Sequence, residues 1–255
     1  MNSAASGARL EISHITKRFA VSKAAGSVCT ALHDVSFSID AGDCVLIGGA
    51  NGSGKSVLMD IIAGLTAPSS GTVRLTRPDG HPAAAGLVFQ DADTQILGET
   101  PLEDVMTGPL NMKKSRPEAR ALALAALEKS GLGSKAAHAS RFLSGGEKRR
   151  LAVAGVLALN TPLVIFDEPY ANLDYSGVRQ VNELIQMLRV QRRTILVLTH
   201  ELEKSLALCN RFIVLFHGEK VFDGTPQEGI RQNLAGWDIH DPLSAYTSVE
   251  DLVWR

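Results

Sequence analysis

The stretch DCVLIGGANGSGKSVLMDIIAGL, residues 43–65, constrains this chain more than any other. DCVLIGG is apolar and ends in glycines, which reads as a buried strand; from Gly54 to about Leu65 the apolar spacing reads as a helix. Between them GANGSGKS, residues 49–56, matches the pattern G-x-x-x-x-G-K-[ST] in full, in the strand–loop–helix setting the pattern requires. Glycines let such a loop wrap closely around an anion, with backbone N–H groups pointing inward. Gly49, Ala50, Asn51, Gly52, Ser53 and Gly54 would form the cradle. Lys55 would reach the β- and γ-phosphates of a nucleotide, and the Ser56 hydroxyl would hold Mg²⁺.

A strand feeding a helix in this way predicts α/β architecture, and the remaining pattern agrees. LEISHITKRF (10–19) and DVSFSI (34–39) alternate as half-buried strands, part of a small antiparallel unit at the front. TVRL (72–75), GLVF (86–89), PLVIFD (162–167), TILVLT (194–199) and RFIVLF (211–216) are further strands. Helices are expected over 115–131, from Ser144 to about Leu159, over 178–191 and over 201–209. Near-continuous apolar strands alternating with helices imply a mainly parallel sheet covered on both faces. Residues from about 91 to 160 read as helix only, hence as a helical subdomain inserted into that core.

Two more stretches carry chemistry. PLVIFDEP puts Asp167 at the end of an apolar strand, where its carboxylate can bind the Mg²⁺ of a phosphate loop, and Glu168 follows, placed to polarise an attacking water as general base. LSGGEKRR (143–150) opens a helix: Ser144 caps it and Glu147 completes a capping box. Gly145 and Gly146 leave N–H groups bare at the positive end of the helix dipole, which suits a phosphate. One chain thus holds two phosphate-binding segments about ninety residues apart.

Composition narrows the classes. A net charge of −1 provides no basic excess for sequence-independent nucleic-acid binding, so no nucleic-acid partner is expected. The longest apolar run, LAVAGVLAL (151–159), is about half the ~20 residues of a bilayer span, and the N-terminus lacks a signal peptide's apolar stretch. Cys29, Cys44 and Cys209 fit neither a disulfide framework nor a metal site.

GANGSGKS, LSGGE and FDEP, in this order and spacing, resemble the nucleotide-binding subunit of ABC (ATP-binding cassette) ATPases over roughly residues 8–225, leaving 226–255 as an extension without an assigned role. The resemblance implies a P-loop cassette that binds ATP and Mg²⁺ and hydrolyses ATP. It assigns Gln90 in VFQD to Mg²⁺ and to linkage with the helical subdomain, Asp174 in ANLD to the D-loop, and His200 in LTHE to the γ-phosphate and the attacking water. Phe19 sits where the family stacks an aromatic on adenine, and Val57 where a Thr or Ser usually bonds the α-phosphate. Ala50, Tyr170 and Tyr175 also depart from the usual Pro, Thr and Pro, and LSGGQ becomes LSGGE. By resemblance two subunits, identical or not, pair head-to-tail, and Ser144, Gly145, Gly146 and Glu147 of one close on ATP held by the other. This explains why one chain carries two half-sites.

GLVFQDADTQILGETPLEDVMTGPLNM (86–112) and LSGGEKRRLAVAGVLAL (143–159) are most similar to energy-coupling factor (ECF) transporter ATPases. That branch implies a peripheral position on the cytoplasmic face of the membrane. It implies a transmembrane T-component seated in the groove beside the Q-loop, and through it a membrane protein binding a vitamin, cobalt or nickel. The alternatives are the ATPase of another ABC importer or exporter, and a non-transport ABC ATPase such as an iron–sulfur assembly ATPase. Only 54 positions separate Gln90 from Ser144, too few for the coiled-coil or zinc insertions of repair-type ATPases.

Overall fold

The computed structural model describes residues 7–20, 28–89, 92–171 and 173–244. In chain order the elements are β1 (Arg9–Ala20), β2 (Val28–Ile39), β3 (Cys44–Gly48), α1 (Lys55–Ile62), β4 (Ser70–Thr76), β5 (Ala85–Val88), α2 (Ala92–Gln95), α3 (Pro101–Asn111), α4 (Arg116–Lys129), α5 (Gly145–Leu159), β6 (Leu163–Asp167), α6 (Tyr175–Val190), β7 (Thr194–Leu198), α7 (Leu202–Ser205), β8 (Arg211–Phe216), β9 (Glu219–Gly224) and α8 (Pro226–Gly229). A six-stranded sheet runs in the order β5-β6-β7-β3-β8-β9, parallel except for β9 at its edge. A second, antiparallel sheet of order β2-β1-β4 stands in front.

β3, β6 and β7 are buried at every residue, as parallel strands covered on both faces must be. Alternate side chains divide between two cores. Leu46, Val164, Phe166, Val197 and Val214 face α3, α4, α5 and α6, whereas Val45, Ile47, Ile165, Leu198 and Ile213 face α1 and the front sheet. α3, α4 and α5 pack on one another between β5 and β6, the inserted helical unit. Their starts follow the capping rule: Thr100 with Glu103, Ser115 with Glu118 and Ser144 with Glu147 each form a reciprocal box.

Some boundaries differ from the expected ones. β2 begins at Val28 rather than Asp34, because register shifts against β1 near His14 and Asp34, both at positive φ, break the period-two signal. The helix expected over 201–209 is α7 followed by a 3-10 turn, Leu206–Leu208. Beyond residue 225, Leu234 and Ile239 are buried in the same core as the sheet.

Candidate functional site

The sheet order sets the site. β6, β7 and β3 are neighbours, so the loops leaving their C-terminal ends converge at one edge: the phosphate loop from β3, Asp167 and Glu168 from β6, and His200 just past β7. Gly49 and Gly54 make the tight path of the loop possible. Both have positive φ, 151° and 103°. A Cβ on Gly49 would lie 2.3 Å from the Leu215 carbonyl oxygen, and one on Gly54 2.7 Å from Leu32 Cδ2.

Lys55, buried at the start of α1, folds back so that its Nζ donates to the carbonyls of Gly49 (2.7 Å) and Ala50 (3.1 Å). The same ammonium lies 3.6 Å from Glu168 Oε1. Burial pulls its pKa below the ordinary lysine value, against the raising effect of Glu168 and then Asp167. Asp167 and Glu168 are both buried. Burial, then the charge of Glu168, pushes the Asp167 carboxyl above the usual aspartate range, with Lys55 acting in the other direction. Asp167 Oδ1 and Glu168 Oε2 are buried without a hydrogen-bond partner among the described residues. Oxygen atoms left this way need a cation, a water or a substrate to satisfy them.

Glu168 sits on a turn at φ +42°, an uncommon conformation for a side chain of this size, held by its N–H donating to the Leu198 carbonyl at 2.8 Å. Its Oε1 is 3.0 Å from Nδ1 of the partly exposed His200. Three residues to which the sequence reading gave no part in this turn hold the rest of it. Arg149, buried on α5, donates from Nη1 to the Pro169 carbonyl. The fully buried Tyr170 donates its hydroxyl to Asn182 Oδ1 (2.8 Å), and Asn182 Nδ2 donates to the Lys204 carbonyl (2.8 Å) just beyond His200. Sequence reasoning missed all three. The one cue was that Arg149 falls on the buried stripe of α5 with Ala152, Val153 and Val156, where an arginine needs an internal acceptor.

Lys55, Asp167, Glu168 and His200 are therefore brought together. Ser144 and Gly145 lie exposed at the start of α5, with hydrogen bonds within the cap: Ser144 N–H to Glu147 Oε2 (2.9 Å) and Glu147 N–H to Ser144 Oγ (3.3 Å). Asp174 caps α6, accepting from Gly177 N–H (2.8 Å) and the Ser176 hydroxyl, and these bonds, the Gly177 one foremost, hold its pKa below the usual value. Phe19, half-exposed near the end of β1, pairs with Cys29 on β2, two residues from the Ala31 carbonyl that crowds Gly54. Lys17 Nζ lies 5.1 Å from the centre of its ring. Gln90 lies outside the described residues.

The family pattern described as ABC transporter matches residues 32–171, more than half of the chain. The chain belongs to the ABC transporter family. The cassette is 38% identical over 227 residues to the cobalt import ATP-binding protein CbiO of Rhodobacter capsulatus, covering 84% of this chain and 80% of that protein. It is 38% identical over 206 residues to the energy-coupling factor transporter ATP-binding protein EcfA of Enterococcus faecium, covering 78% and 74%. Among solved structures it is similar to cbiO1 from Clostridium perfringens, described as part of the ABC transporter complex cbiONQ. The TM-score is 0.75 at 28% identity, over 89% of this chain and 92% of that one. It is also similar to a dimeric ATP-binding cassette in a post-hydrolysis state with ADP and phosphate, with a TM-score of 0.73 at 29% identity over 85% and 98%. These relatives make it an ABC ATPase of the energy-coupling factor type. Among its described residues no helix is long and apolar enough to cross a membrane.

Proposed function

We propose that the chain is the MgATP-hydrolysing subunit of an ECF-type importer of cobalt, nickel or a vitamin, driving transport by ATP-dependent closure of an ATPase dimer. The observation that carries the chemistry is the shared edge where Lys55 and Glu168 lie 3.6 Å apart and Glu168 reaches His200 at 3.0 Å. The loop N–H groups of residues 49–56 and Lys55 bind the β- and γ-phosphates, and Phe19 stacks on the base. Glu168 Oε1 is engaged by His200, which leaves Oε2 as the atom that takes a proton from the attacking water. Asp167 Oδ1, unpartnered, and the Ser56 hydroxyl offer the hard oxygen donors that Mg²⁺ selects, with Gln90 as a further ligand. Mg²⁺ held by these oxygens would neutralise charge on the transferring phosphoryl group.

Ser144, Gly145, Gly146 and Glu147 complete the site of an opposing subunit, whose Asp174 segment lies at the same interface. Support comes from the dimeric cassette among the similar structures and from the exposure of Ser144 and Gly145. A groove of about 660 Å³ is lined by Leu97, Thr100, Ala139, Arg141 and Lys148. Leu97, on its wall, is 81% exposed, and Phe142, next in the chain to Arg141, is 78% exposed. An apolar-and-basic groove of this kind suits a coupling helix of a membrane T-component, which would hold the cassette peripherally on the cytoplasmic face. The name of the Rhodobacter relative favours cobalt as the imported substrate.

The test is recovery of tagged Glu168→Gln protein from detergent-solubilised membranes with MgATP, followed by mass spectrometry. Co-purification of a T-like membrane protein with a small substrate-binding partner is expected. A conventional permease moves the chain to another transporter branch, and recovery from the soluble fraction alone refutes the transport role.

A further inference from the structure

The LSGGE segment carries a charge that LSGGQ does not. Glu147 lies in the first turn of α5, at the helix end that faces an incoming triphosphate in the composite site. A carboxylate there draws on the same N–H dipoles the phosphate needs, and repels the phosphate besides. The structure shows how that charge is met. Oε2 accepts from the Ser144 N–H at 2.9 Å, closing the capping box, while Oε1 contacts Lys135 Nζ. Lys135 belongs to a different element, the 3-10 turn Gly133–Lys135 that follows α4. Arg150 Nη2 stands farther off, 3.9 Å from Oε1, and its Nη1 is committed to Gln180 Oε1 at 2.6 Å. The Glu147 side chain is only 15% exposed, so its pair with Lys135 is less screened than a surface pair, whereas Lys135 itself is 42% exposed.

We infer that Lys135 is a positioning residue of the composite ATP site: it neutralises Glu147, fixes that carboxylate between its own ammonium and the Ser144 N–H, and so leaves the Gly145 and Gly146 N–H groups to the triphosphate of the opposing subunit. The inference rests on the head-to-tail dimer proposed above. It also makes the half-site depend on the turn after α4, since the counter-charge comes from the inserted helical unit and not from α5 itself. Lys135 and the cap both hold the Glu147 carboxyl below the usual glutamate range, Lys135 having the larger effect.

The experiment uses the Glu168→Gln protein, alone or with whatever second ATPase subunit co-purifies, and measures by light scattering the MgATP concentration that half-saturates dimer formation. Lys135→Met is expected to raise that concentration about three- to fivefold, more at low salt than at high. Lys135→Arg should stay near the parent. Glu147→Gln keeps the capping acceptor while removing the charge, so Lys135→Met added to Glu147→Gln should produce no further loss. An equal loss with and without Glu147→Gln, or no loss from Lys135→Met in a parent that dimerises normally, overturns the inference. A parent that fails to dimerise on MgATP overturns the composite-site reading and this inference with it.

Discussion

Replacing Tyr170 by Phe removes one oxygen from the interior and tests how the turn that carries Glu168 is held. The Tyr170 hydroxyl donates to Asn182 Oδ1 at 2.8 Å, and Asn182 passes the connection to the Lys204 carbonyl, tying the turn after Glu168 to the segment after His200. Phe keeps the ring and its packing, so the loss is the hydrogen bond plus an acceptor left without its donor, about 1–2 kcal/mol. For a chain of this size that lowers Tm by about 2–8 °C. Asn182→Ala removes both links and should cost more. The double variant should then show a coupling of about 1 kcal/mol, because the two residues share one bond. Glu168 is two residues from Tyr170, so turnover should fall about two- to tenfold, while KM for ATP, set by a loop this bond does not touch, changes little. Thermal unfolding without nucleotide and steady-state phosphate release measure both effects. Parental Tm and turnover in Tyr170→Phe, or losses from the two single variants that simply add, refute the reasoning.

Lys55→Ala should weaken ATP binding by about two orders of magnitude, since charge-assisted bonds to phosphate are the stronger class, worth ~1.5–3 kcal/mol each; calorimetry that finds unchanged affinity counts against the phosphate-loop assignment. Gly54→Ala forces a Cβ to φ +103°, 2.8 Å from the Ala31 carbonyl oxygen and 2.7 Å from Leu32 Cδ2. It should lower Tm by about 5–15 °C and abolish nucleotide binding, and a parental Tm refutes the close approach. For Asp167 the sign follows from its raised carboxyl. The folded chain holds that proton more tightly than the unfolded chain, so stability falls as pH rises from the ordinary aspartate value through the raised one. Asp167→Asn should remove that part of the slope in urea unfolding and end Mg²⁺-dependent hydrolysis; parallel pH curves for the two proteins would show that Asp167 is not perturbed.

The residues legible in the sequence and those that were not differ in a physical way. A phosphate cradle is a few consecutive backbone N–H groups, so Gly49 through Ser56 must be contiguous, and the strand before it and the helix after it are part of the same local geometry. Asp167 and Glu168 at the end of an apolar strand and Ser144 with Glu147 at a helix start are equally local, and the Ser144–Glu147 capping box appears as read. Parallel pairing was legible in strands apolar on both faces, whereas the order β6-β7-β3, which brings these groups to one edge, comes from the fold. What escaped was through-space: Arg149 reaching Pro169, Tyr170 reaching Asn182, Lys135 reaching Glu147. Each joins residues 12–20 apart in the chain across different elements, and no spacing rule selects the partner. Likewise β9 was missed because an edge strand half in water shows no clean alternation, and Leu234 and Ile239 join the core from a segment with no regular period. Local spacing thus marks the groups proposed to touch the nucleotide. The groups that hold them in place are chosen by packing, which is why the turn around Glu168, with its positive φ and two outside tethers, had to be read from the fold.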